Sequence, residues 1–401
     1  MKIKDKRKVD RLLLLFSFTY FVSYVTRINY GAVVSEMVTS LGLPKSTLSM
    51  ALTGCFITYG AGQLITGFFG DRIQPKRLVT VGMLTSIVMN LLIPICFNPV
   101  QMTVVWCVNG FAQAFMWPPL VKLMASLFSP EDYNRGCVRV SWGSSLGTMF
   151  VYLMAPLLIA LRNWQTVFVV CAALGLMGVV LWNLKCPNIE LAPAQEPCKE
   201  RSGGSVISVF SPMLICVMVA IVLQGILRDG VQTWMPSYIA ETYHLSNEIS
   251  ILTGFVMPIF SIVCNQATGY LCRKKFQNPM QCAAVIWGVS AVSALALYLL
   301  SDYSAATSVF LSAVLTGCMH GVNLLLVCML PPRLAGAGRV SVVSGMLNCC
   351  TYIGSAVSMY AIPLATENSG WEVTILLWVL AAVAGTLLCS VCIRAWRKKT
   401  L

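Results

Sequence analysis

The sequence predicts an all-α membrane protein with twelve transmembrane helices in two pseudo-symmetric halves of six. The first observation is composition: 57% of the 401 residues are hydrophobic and only 11% are charged, against about 25% charged residues in soluble domains. The second is distribution, because the charged residues cluster and leave apolar stretches of about 18 residues or more, long enough to cross a bilayer. The third is a polar segment at the centre of the chain. Together they exclude a soluble globular protein.

Six apolar stretches precede the polar segment and six follow it. The predicted spans are residues 12–37, 46–70, 78–97, 101–128, 134–160 and 164–185, and then 206–240, 247–271, 279–300, 303–331, 340–365 and 370–393. We interpret 186–205, which is rich in Pro, Glu, Ser and Gly, as a cytoplasmic linker. It separates an N-terminal half (1–185) from a C-terminal half (206–401).

Basic residues orient the predicted helices. The net charge is +13, and the Lys and Arg residues of the loops fall almost entirely on one side, with Lys45 and Arg162 on the other. The positive-inside rule therefore predicts that both termini are cytoplasmic. The basic start and the apolar run after it resemble a secretory signal, but no convincing small-residue cleavage site follows. We interpret the run as the first span of a multi-pass protein of the inner or plasma membrane.

Two pairs of basic residues indicate an internal repeat. Arg27 lies in the first span and Arg228 in the seventh. Arg72 and Arg273 lie at the ends of the second and eighth spans. Both pairs are 201 residues apart. Internal repeats around a midplane site are typical of secondary transporters.

Arg27 and Arg228 are the strongest candidate site residues. A charged side chain at membrane depth costs about 2.5–3.5 kcal/mol on insertion scales, so such residues normally face a cavity. The guanidinium fork matches carboxylate or phosphate and stays charged at any relevant pH. The pair predicts an anion site; a snorkelling side chain or a structural ion pair is the alternative. Asp229 is the next residue, but adjacent helical positions point about 100° apart, so the sequence does not establish that it neutralises Arg228.

Further polar and aromatic side chains are candidates for the same cavity, although each type is also common in helix packing and at membrane interfaces. Two of them flank a pair of prolines in AFMWPPLVKLM (114–124), which predicts a kinked span. The candidates are Tyr30, Gln63, Trp117, Lys122, Trp142, Tyr238, His320 and Asn323.

A loop motif follows the second span, GFFGDRIQPKR (67–77). Gly67 permits close helix packing, and Asp71 can pair with a basic residue or a helix N-terminus. We predict a gating role for the motif, with Gly67, Asp71, Arg72 and Arg77, and with Arg273 at the equivalent place in the second half. An ordinary positive-inside loop is the alternative.

Other classes of function lack support in the sequence. It contains no P-loop, no dinucleotide-binding fingerprint, no HExxH and no GxSxG, so we expect neither an enzyme nor ATP-driven transport by this chain. Most of the 17 cysteines lie inside apolar spans and no CxxC occurs, so they are interpreted as small hydrophobes and no cofactor or metal is expected. The basic charge orients the protein in the membrane and does not indicate nucleic-acid binding.

Several segments resemble one known family, the organophosphate:phosphate antiporters of the major facilitator superfamily. The resembling segments are YVTRINY (24–30), YGAGQLITGFFGDRIQPKR (59–77), WPP with a basic residue three positions on (117–122), RGCVRVSW (135–142), RDGVQTWMPSYI (228–239) and 330–358. The resemblance implies the major facilitator fold and a monomer that exchanges a phosphorylated metabolite for inorganic phosphate as its two halves rock. It also implies phosphate binding by Arg27 and Arg228.

The chain departs from the glycerol-3-phosphate carriers of that family at three positions. Gln63, Leu146 or one of its neighbours, and Thr233 stand where those carriers have a lysine, a histidine and an acidic residue. The substrate is therefore left open between organophosphates, carboxylates and sulfonates. Antiport would result if the empty carrier, with two unneutralised arginines, passed only slowly through the occluded state between its two open conformations. Proton-coupled transport with Asp229 as the titrating group, xenobiotic efflux, and a membrane sensor of sugar phosphates remain alternatives.

Overall fold

The structure, a computed structural model, describes Ile3 and residues 5–69, 73–187, 211–276, 278–301, 303–330 and 340–400. Over these residues the chain is helical and contains no β-strand, which confirms the all-α prediction. The chain divides into two compact units, Met1–Cys198 and Lys199–Leu401. Most of the predicted linker, 188–205, lies outside the described residues.

Over its described residues, unit 1 contains seven α-helices. Its first helix packs against α6 and α7, α2 packs against α4, and α3 packs against α4 and α7. A 3-10 turn at Ile93–Ile95 follows α3. The helices are α1 (Lys6–Leu41), α2 (Lys45–Phe69), α3 (Pro75–Leu92), α4 (Pro99–Gln113), α5 (Trp117–Leu127), α6 (Pro130–Leu161) and α7 (Trp164–Lys185).

The described part of unit 2 contains six α-helices. Its central helix, α8, packs against α12 and α13, α10 packs against α12, and α11 packs against α12 and α13. A π-helical turn, Leu324–Met329, follows α12 directly. The elements are α8 (Pro212–Tyr243), α9 (Asn247–Thr253), α10 (Val256–Lys274), α11 (Pro279–Leu299), α12 (Ala305–Asn323) and α13 (Val340–Thr400), which bends at Gly370 (φ 78°, ψ 179°).

Four helices begin at a Ser-Pro or Asn-Pro step. The Ser or Asn side chain accepts a hydrogen bond from a backbone N–H of the first turn, and the proline occupies the first helical position, where its missing N–H removes no helix hydrogen bond. Local sequence therefore fixes these starts, which are Asn98 before α4, Ser129 before α6, Ser211 before α8 and Asn278 before α11.

The described helices account for the membrane spans. Eleven are long and apolar enough to cross a bilayer, and α4–α5 and α9–α10 each count as one. The last candidate, Met346–Trp396, has 51 residues, about twice the length that one pass requires. Because the helix bends at Gly370 beside the exposed polar residues Glu367 and Asn368, it supplies two passes, and the total is the predicted twelve.

Unit 1 contains a buried polar network between α1, α3 and α4. Gln113 is its hub: its Oε1 accepts from Ser23 Oγ at 2.6 Å, and its Nε2 donates to Thr26 Oγ1 and to Ser86 Oγ, both at 3.0 Å. Asn90 extends the network, because its Nδ2 donates to the carbonyl oxygen of Thr26 at 2.9 Å. Interhelical hydrogen bonds of this kind add specificity to packing where lipid supplies no hydrophobic driving force.

Two glycines bring α8 and α13 together in unit 2. A Cβ atom at Gly225 would overlap the carbonyl of Thr351, and one at Gly354 would overlap the carbonyl of Val222. Only glycine permits backbones to approach this closely. The contact places Ser355 of α13 beside the turn of α8 that carries the predicted arginine.

Candidate functional site

Arg27 lies in α1 between two tyrosine rings. Its guanidinium carbon is 4.2 Å from the ring centroid of Tyr24, one turn earlier, and 4.8 Å from that of Tyr59 on α2. Gln63 Nε2 donates to the Tyr59 hydroxyl at 2.8 Å. Cation–π contacts of this kind are worth about 0.5–2 kcal/mol, so they offset part of the cost of holding the charge in an apolar helix. The structure thus brings two predicted site residues, Arg27 and Gln63, to one cluster through Tyr59.

An aromatic chain continues from Arg27 to α5. The Tyr24 ring lies 5.1 Å from the Tyr20 ring, which in turn lies 5.1 Å from the Trp117 ring. Trp117 is half-buried at the first turn of α5. The predicted residues Arg27 and Trp117 are therefore connected by Tyr20 and Tyr24, which the sequence argument missed. Their spacing at three and seven residues before Arg27 on one helix is the signal that could have found them.

Three other predicted residues of unit 1 have different surroundings. Tyr30 is fully buried; its ring packs against Trp106 and Phe168, and its hydroxyl donates to the Leu48 carbonyl at 3.1 Å. Lys122 lies half-buried on α5, and Trp142 is exposed on α6. Tyr30 is a packing residue in this structure, and we leave it out of the proposed site.

Arg228 of α8 forms a bidentate ion pair with its neighbour Asp229. Arg228 Nε donates to Asp229 Oδ1 at 2.8 Å, and Nη2 donates to Oδ2 at 2.7 Å. The two side chains are only 12% and 16% exposed. The argument that the empty protein holds two unneutralised arginines is therefore wrong for Arg228, because its long side chain reaches the adjacent carboxylate despite the 100° step between their Cα–Cβ directions.

Residues from two further helices surround this pair. Ser355 Oγ of α13 donates to Asp229 Oδ2. His320 of α12 lies within electrostatic range of both Arg228 and Asp229, and its Nε2 is 3.5 Å from Gln232 Oε1. The structure thus brings the predicted residues Arg228 and His320 together, with Asp229, Gln232 and Ser355 as additional members.

Two predicted residues of unit 2 take part in other contacts. Asn323 Nδ2 lies 3.5 Å from Thr351 Oγ1, which belongs to the α8–α13 contact. Tyr238 is buried; its ring packs against Tyr243 and Trp371, and its hydroxyl lies 3.3 Å from Ser308 Oγ. Asn323 is therefore a neighbour of the Arg228 cluster through Thr351, whereas Tyr238 is a packing residue at the far end of α8.

The fourth pass of each unit departs from α-helical geometry near the predicted residues. In unit 1 a turn, Ala114–Met116, separates α4 from α5 just before Trp117. In unit 2 the π-helical turn Leu324–Met329 begins just after Asn323. π-helical turns are frequent at functional sites, and interrupted spans are frequent at the binding sites of transporters. The interruptions therefore support the choice of these two regions on grounds independent of charge.

The predicted gating motif is described only in part. Gly67 lies in α2 and Arg77 is exposed in the first turn of α3. Asp71 and Arg72 lie outside the described residues, and Arg273 is described only as part of α10. Lys76 has a structural contact, because its Nζ donates to the carbonyls of Asn183 and Cys186 at 3.0 and 2.7 Å, at the C-terminal end of α7.

An ion pair joins two other helices of unit 1, and no metal site accompanies it. Asp10 of α1 forms ion pairs with Arg135 and Arg139 of α6 at 3.0 and 2.9 Å and accepts a hydrogen bond from Arg139, which gives Arg139 a packing role. Within the described ranges, no group of three or more His, Cys, Asp or Glu residues is arranged to hold a metal ion.

Sequence comparison identifies relatives that extend over nearly the whole chain. The chain is 21% identical over 415 residues to the membrane sensor protein UhpC of Salmonella typhimurium, covering 96% of this chain and 92% of the relative. It is 22% identical over 418 residues to the glycerol-3-phosphate transporter of Bacillus subtilis, covering 94% of each.

Structural comparison and a family profile agree on the fold. A bacterial homologue of the human lysosomal transporter Spinster superposes with a TM-score of 0.81 over 98% of both chains, at 12% identity. The nucleoside transporter NupG superposes with a TM-score of 0.76 over 95% of this chain and 99% of that one, at 14% identity. The profile of the Major Facilitator Superfamily matches residues 16–359. The chain therefore belongs to the Major Facilitator Superfamily, whose members are membrane transporters and not enzymes.

Proposed function

We propose that the protein exchanges a small organic anion, most simply an organophosphate, for inorganic phosphate, with Arg27 and Arg228 binding the anion. The observation that carries the proposal is Arg27, a permanent cation inside an apolar helix that is held by tyrosine rings. Ring contacts leave guanidinium N–H groups able to donate to an anion in the plane of the fork. The name of the Bacillus relative, a glycerol-3-phosphate transporter matched over 94% of its length, supports this substrate class.

The remaining parts of the proposal come from the family resemblance and the charge pattern. We propose transport by rocker-switch alternating access, by a monomer in the plasma membrane with both termini in the cytoplasm. Gln63, Trp117, Lys122, Trp142, His320 and Asn323 are proposed to contribute to the substrate path, and the 67–77 motif and Arg273 to gating. Phosphate is the common substrate of both transport directions in this proposal, and it is therefore the ligand to test first.

The test is radiolabelled phosphate uptake into proteoliposomes that are preloaded with phosphate. We expect exchange by the wild type and by Arg162→Ala, a control that removes an exposed arginine at the end of α6. Arg27→Ala should reduce exchange to the level of empty liposomes. Exchange by Arg27→Ala at the wild-type rate would exclude Arg27 from the site, and no exchange by correctly inserted wild type would exclude phosphate as a substrate.

A sensor function is a second candidate, favoured by the match to UhpC over 96% of this chain. A sensor requires binding but no rapid turnover. If phosphate esters stabilise the purified protein against heat while reconstituted protein gives no exchange, the sensor proposal replaces the exchanger. A purely sensory role would be excluded if the rate of exchange rises with substrate concentration in parallel with substrate binding.

A further inference from the structure

The bidentate pair of Arg228 and Asp229 leads to a consequence for anion binding. We propose that Asp229 is an internal competitor for the anion at Arg228, and that an anion binds there together with one proton, which neutralises Asp229. The proposal rests on the proposed anion-binding role of Arg228 and adds its regulation.

Competition follows from the geometry of the fork. The Nε and Nη2 atoms of Arg228, which form one bidentate edge of the guanidinium, both donate to Asp229 at 2.7–2.8 Å. A phosphate or carboxylate seeks the same bidentate arrangement. An anion at the other edge would still lie within a few ångströms of the Asp229 carboxylate and would be repelled by it in a region that holds little water. The anion must therefore either displace Asp229 or find it neutral.

Proton uptake follows from burial. The Asp229 side chain is 16% exposed, and a carboxylate that loses its cationic partner in such a place is neutralised at much lower cost than it is kept ionised. Ser355 on α13 donates one hydrogen bond to Oδ2, which holds the carboxylate in place but supplies no charge. A proton from water then neutralises the Asp229 carboxylate in place of Arg228. The positive charge of Arg228 is left to neutralise the bound anion.

The groups that face Asp229 come from three helices. Among the described residues, Arg228 of α8, Ser355 of α13 and His320 of α12 act on it. The charged residue of α9, which also packs on α8, is Glu248; α9 follows the end of α8, fourteen residues or about 21 Å beyond Asp229. His320 is thus the one other titratable group of the described cluster.

The proposal predicts how many protons cross the membrane with the anions. When one anion replaces another, the proton taken up with the first equals the proton released with the second, so one-for-one exchange moves no net proton. Net entry of an anion without a counter-anion would instead carry a proton with it. The empty Arg228 site is electrically neutral, so the charge of unit 2 alone does not prevent the empty carrier from returning.

The test measures thermal stabilisation of the purified full-length chain in detergent by phosphate, sulfate and acetate, at pH 7.5 and at pH 5.5. The variants are wild type, Asp229→Asn, Ser355→Ala and Asp10→Asn. Asp10→Asn is the matched control, because Asp10 pairs with two arginines of α6 at 41–45% exposure, outside the cluster. Phosphate changes its own charge in this pH range and sulfate does not, so the readout is the ratio of each variant's affinity to that of wild type at each pH.

We expect Asp229→Asn to bind an anion at pH 7.5 at least about tenfold more tightly than wild type, and this ratio to shrink at pH 5.5 as wild type gains affinity. Asp10→Asn should follow wild type at both values. Ser355→Ala, which keeps the ion pair but removes its anchor, should shift in the same direction by a smaller factor, and it carries the test if Asp229→Asn does not fold.

The outcomes separate this proposal from the function it rests on. Equal affinities and equal pH dependence of phosphate binding in wild type and Asp229→Asn would overturn the competitor role and leave phosphate exchange standing. If sulfate or acetate shows the expected pattern while phosphate binds neither wild type nor Asp229→Asn, the competitor role is supported and phosphate exchange is excluded. If no anion distinguishes the variants from wild type, including Ser355→Ala, the competitor role is refuted.

Discussion

Two tyrosine rings face the guanidinium group of Arg27 inside an apolar helix. The rings limit the orientations of the guanidinium plane as well as stabilising its charge. The ring of Tyr59 and its hydroxyl have separable roles, because the hydroxyl accepts from Gln63 while the ring faces Arg27.

This separation gives a prediction for two substitutions of one residue. Tyr59→Leu removes the ring, worth about 0.5–2 kcal/mol, and should raise the KM for phosphate by about 2- to 30-fold. Tyr59→Phe keeps the ring and loses one hydrogen bond, so its effect should be smaller, about threefold. Phosphate exchange in proteoliposomes measures both. Because Tyr59→Leu also lacks the hydroxyl, an equal effect of Tyr59→Phe would show that the Gln63 contact, and not the ring, accounts for the loss.

Arg228 shows where reading single positions fails. The sequence places Arg228 and Asp229 side by side, and helical geometry directs their Cβ atoms apart. The arginine side chain is long enough to reach the carboxylate of its neighbour. Because both side chains are largely buried, pairing the two charges costs less than leaving them unpaired. Tyr30 and Tyr238 illustrate the converse, since a tyrosine in an apolar span satisfies its hydroxyl locally as readily as it faces a cavity.

At the scale of helices, the α8–α13 contact fixes the position of Ser355 beside Asp229. Gly354→Ala adds a methyl group that overlaps the Val222 carbonyl, so we expect a strong loss of thermal stability or of folded protein. Gly288→Ala on α11 is the matched control, because a Cβ there meets nothing within 4 Å. It should be neutral or slightly stabilising, since alanine is favoured over glycine in helices by about 1 kcal/mol. Equal melting temperatures of the two variants would contradict the close contact.

The polar network of unit 1 gives a second prediction at this scale. Gln113→Leu removes three interhelical hydrogen bonds, each worth about 0.6 kcal/mol in membrane proteins, for a loss of about 2 kcal/mol. Gln266→Leu makes the same chemical change at an exposed position of α10 and should have little effect. Thermal melts in detergent compare the two, and a stabilising Gln113→Leu would indicate that the network serves something other than packing.

At the scale of the molecule, the bend at Gly370 decides how many times the chain crosses the membrane. Two passes in α13 place the C-terminus on the same side as the N-terminus, and the basic ends then predict the cytoplasm. Green fluorescent protein fused after Trp396 should fluoresce in a bacterial host, and alkaline phosphatase fused after Asn368 should be active. An active phosphatase fused after Trp396 would mean that the helix crosses once.

Much of this architecture follows from the sequence because bilayer thickness constrains every span alike. Hydropathy and length locate the helices, and the offset of 201 residues relates Arg27 to Arg228 before any coordinates are known. The interruptions before Trp117 and after Asn323 are different. Each has a proline pair close to it in the sequence, Pro118 and Pro119 after the first and Pro331 and Pro332 after the second. Prolines remove helix hydrogen bonds but do not specify whether a turn or a π-helical segment results, so the form of each interruption could not be predicted.

The proline pair after the Ala114–Met116 turn has a consequence for water. Pro118 and Pro119 have no N–H, so α5 offers no helical donor to the carbonyls of Ala114 and Phe115. Inside a bilayer such carbonyls require hydration or another polar partner. We therefore expect the backbone amides of Ala114–Met116 to exchange hydrogen for deuterium faster than those in the middle of α1. Faster deuterium uptake at this segment would show that water enters unit 1 to this depth.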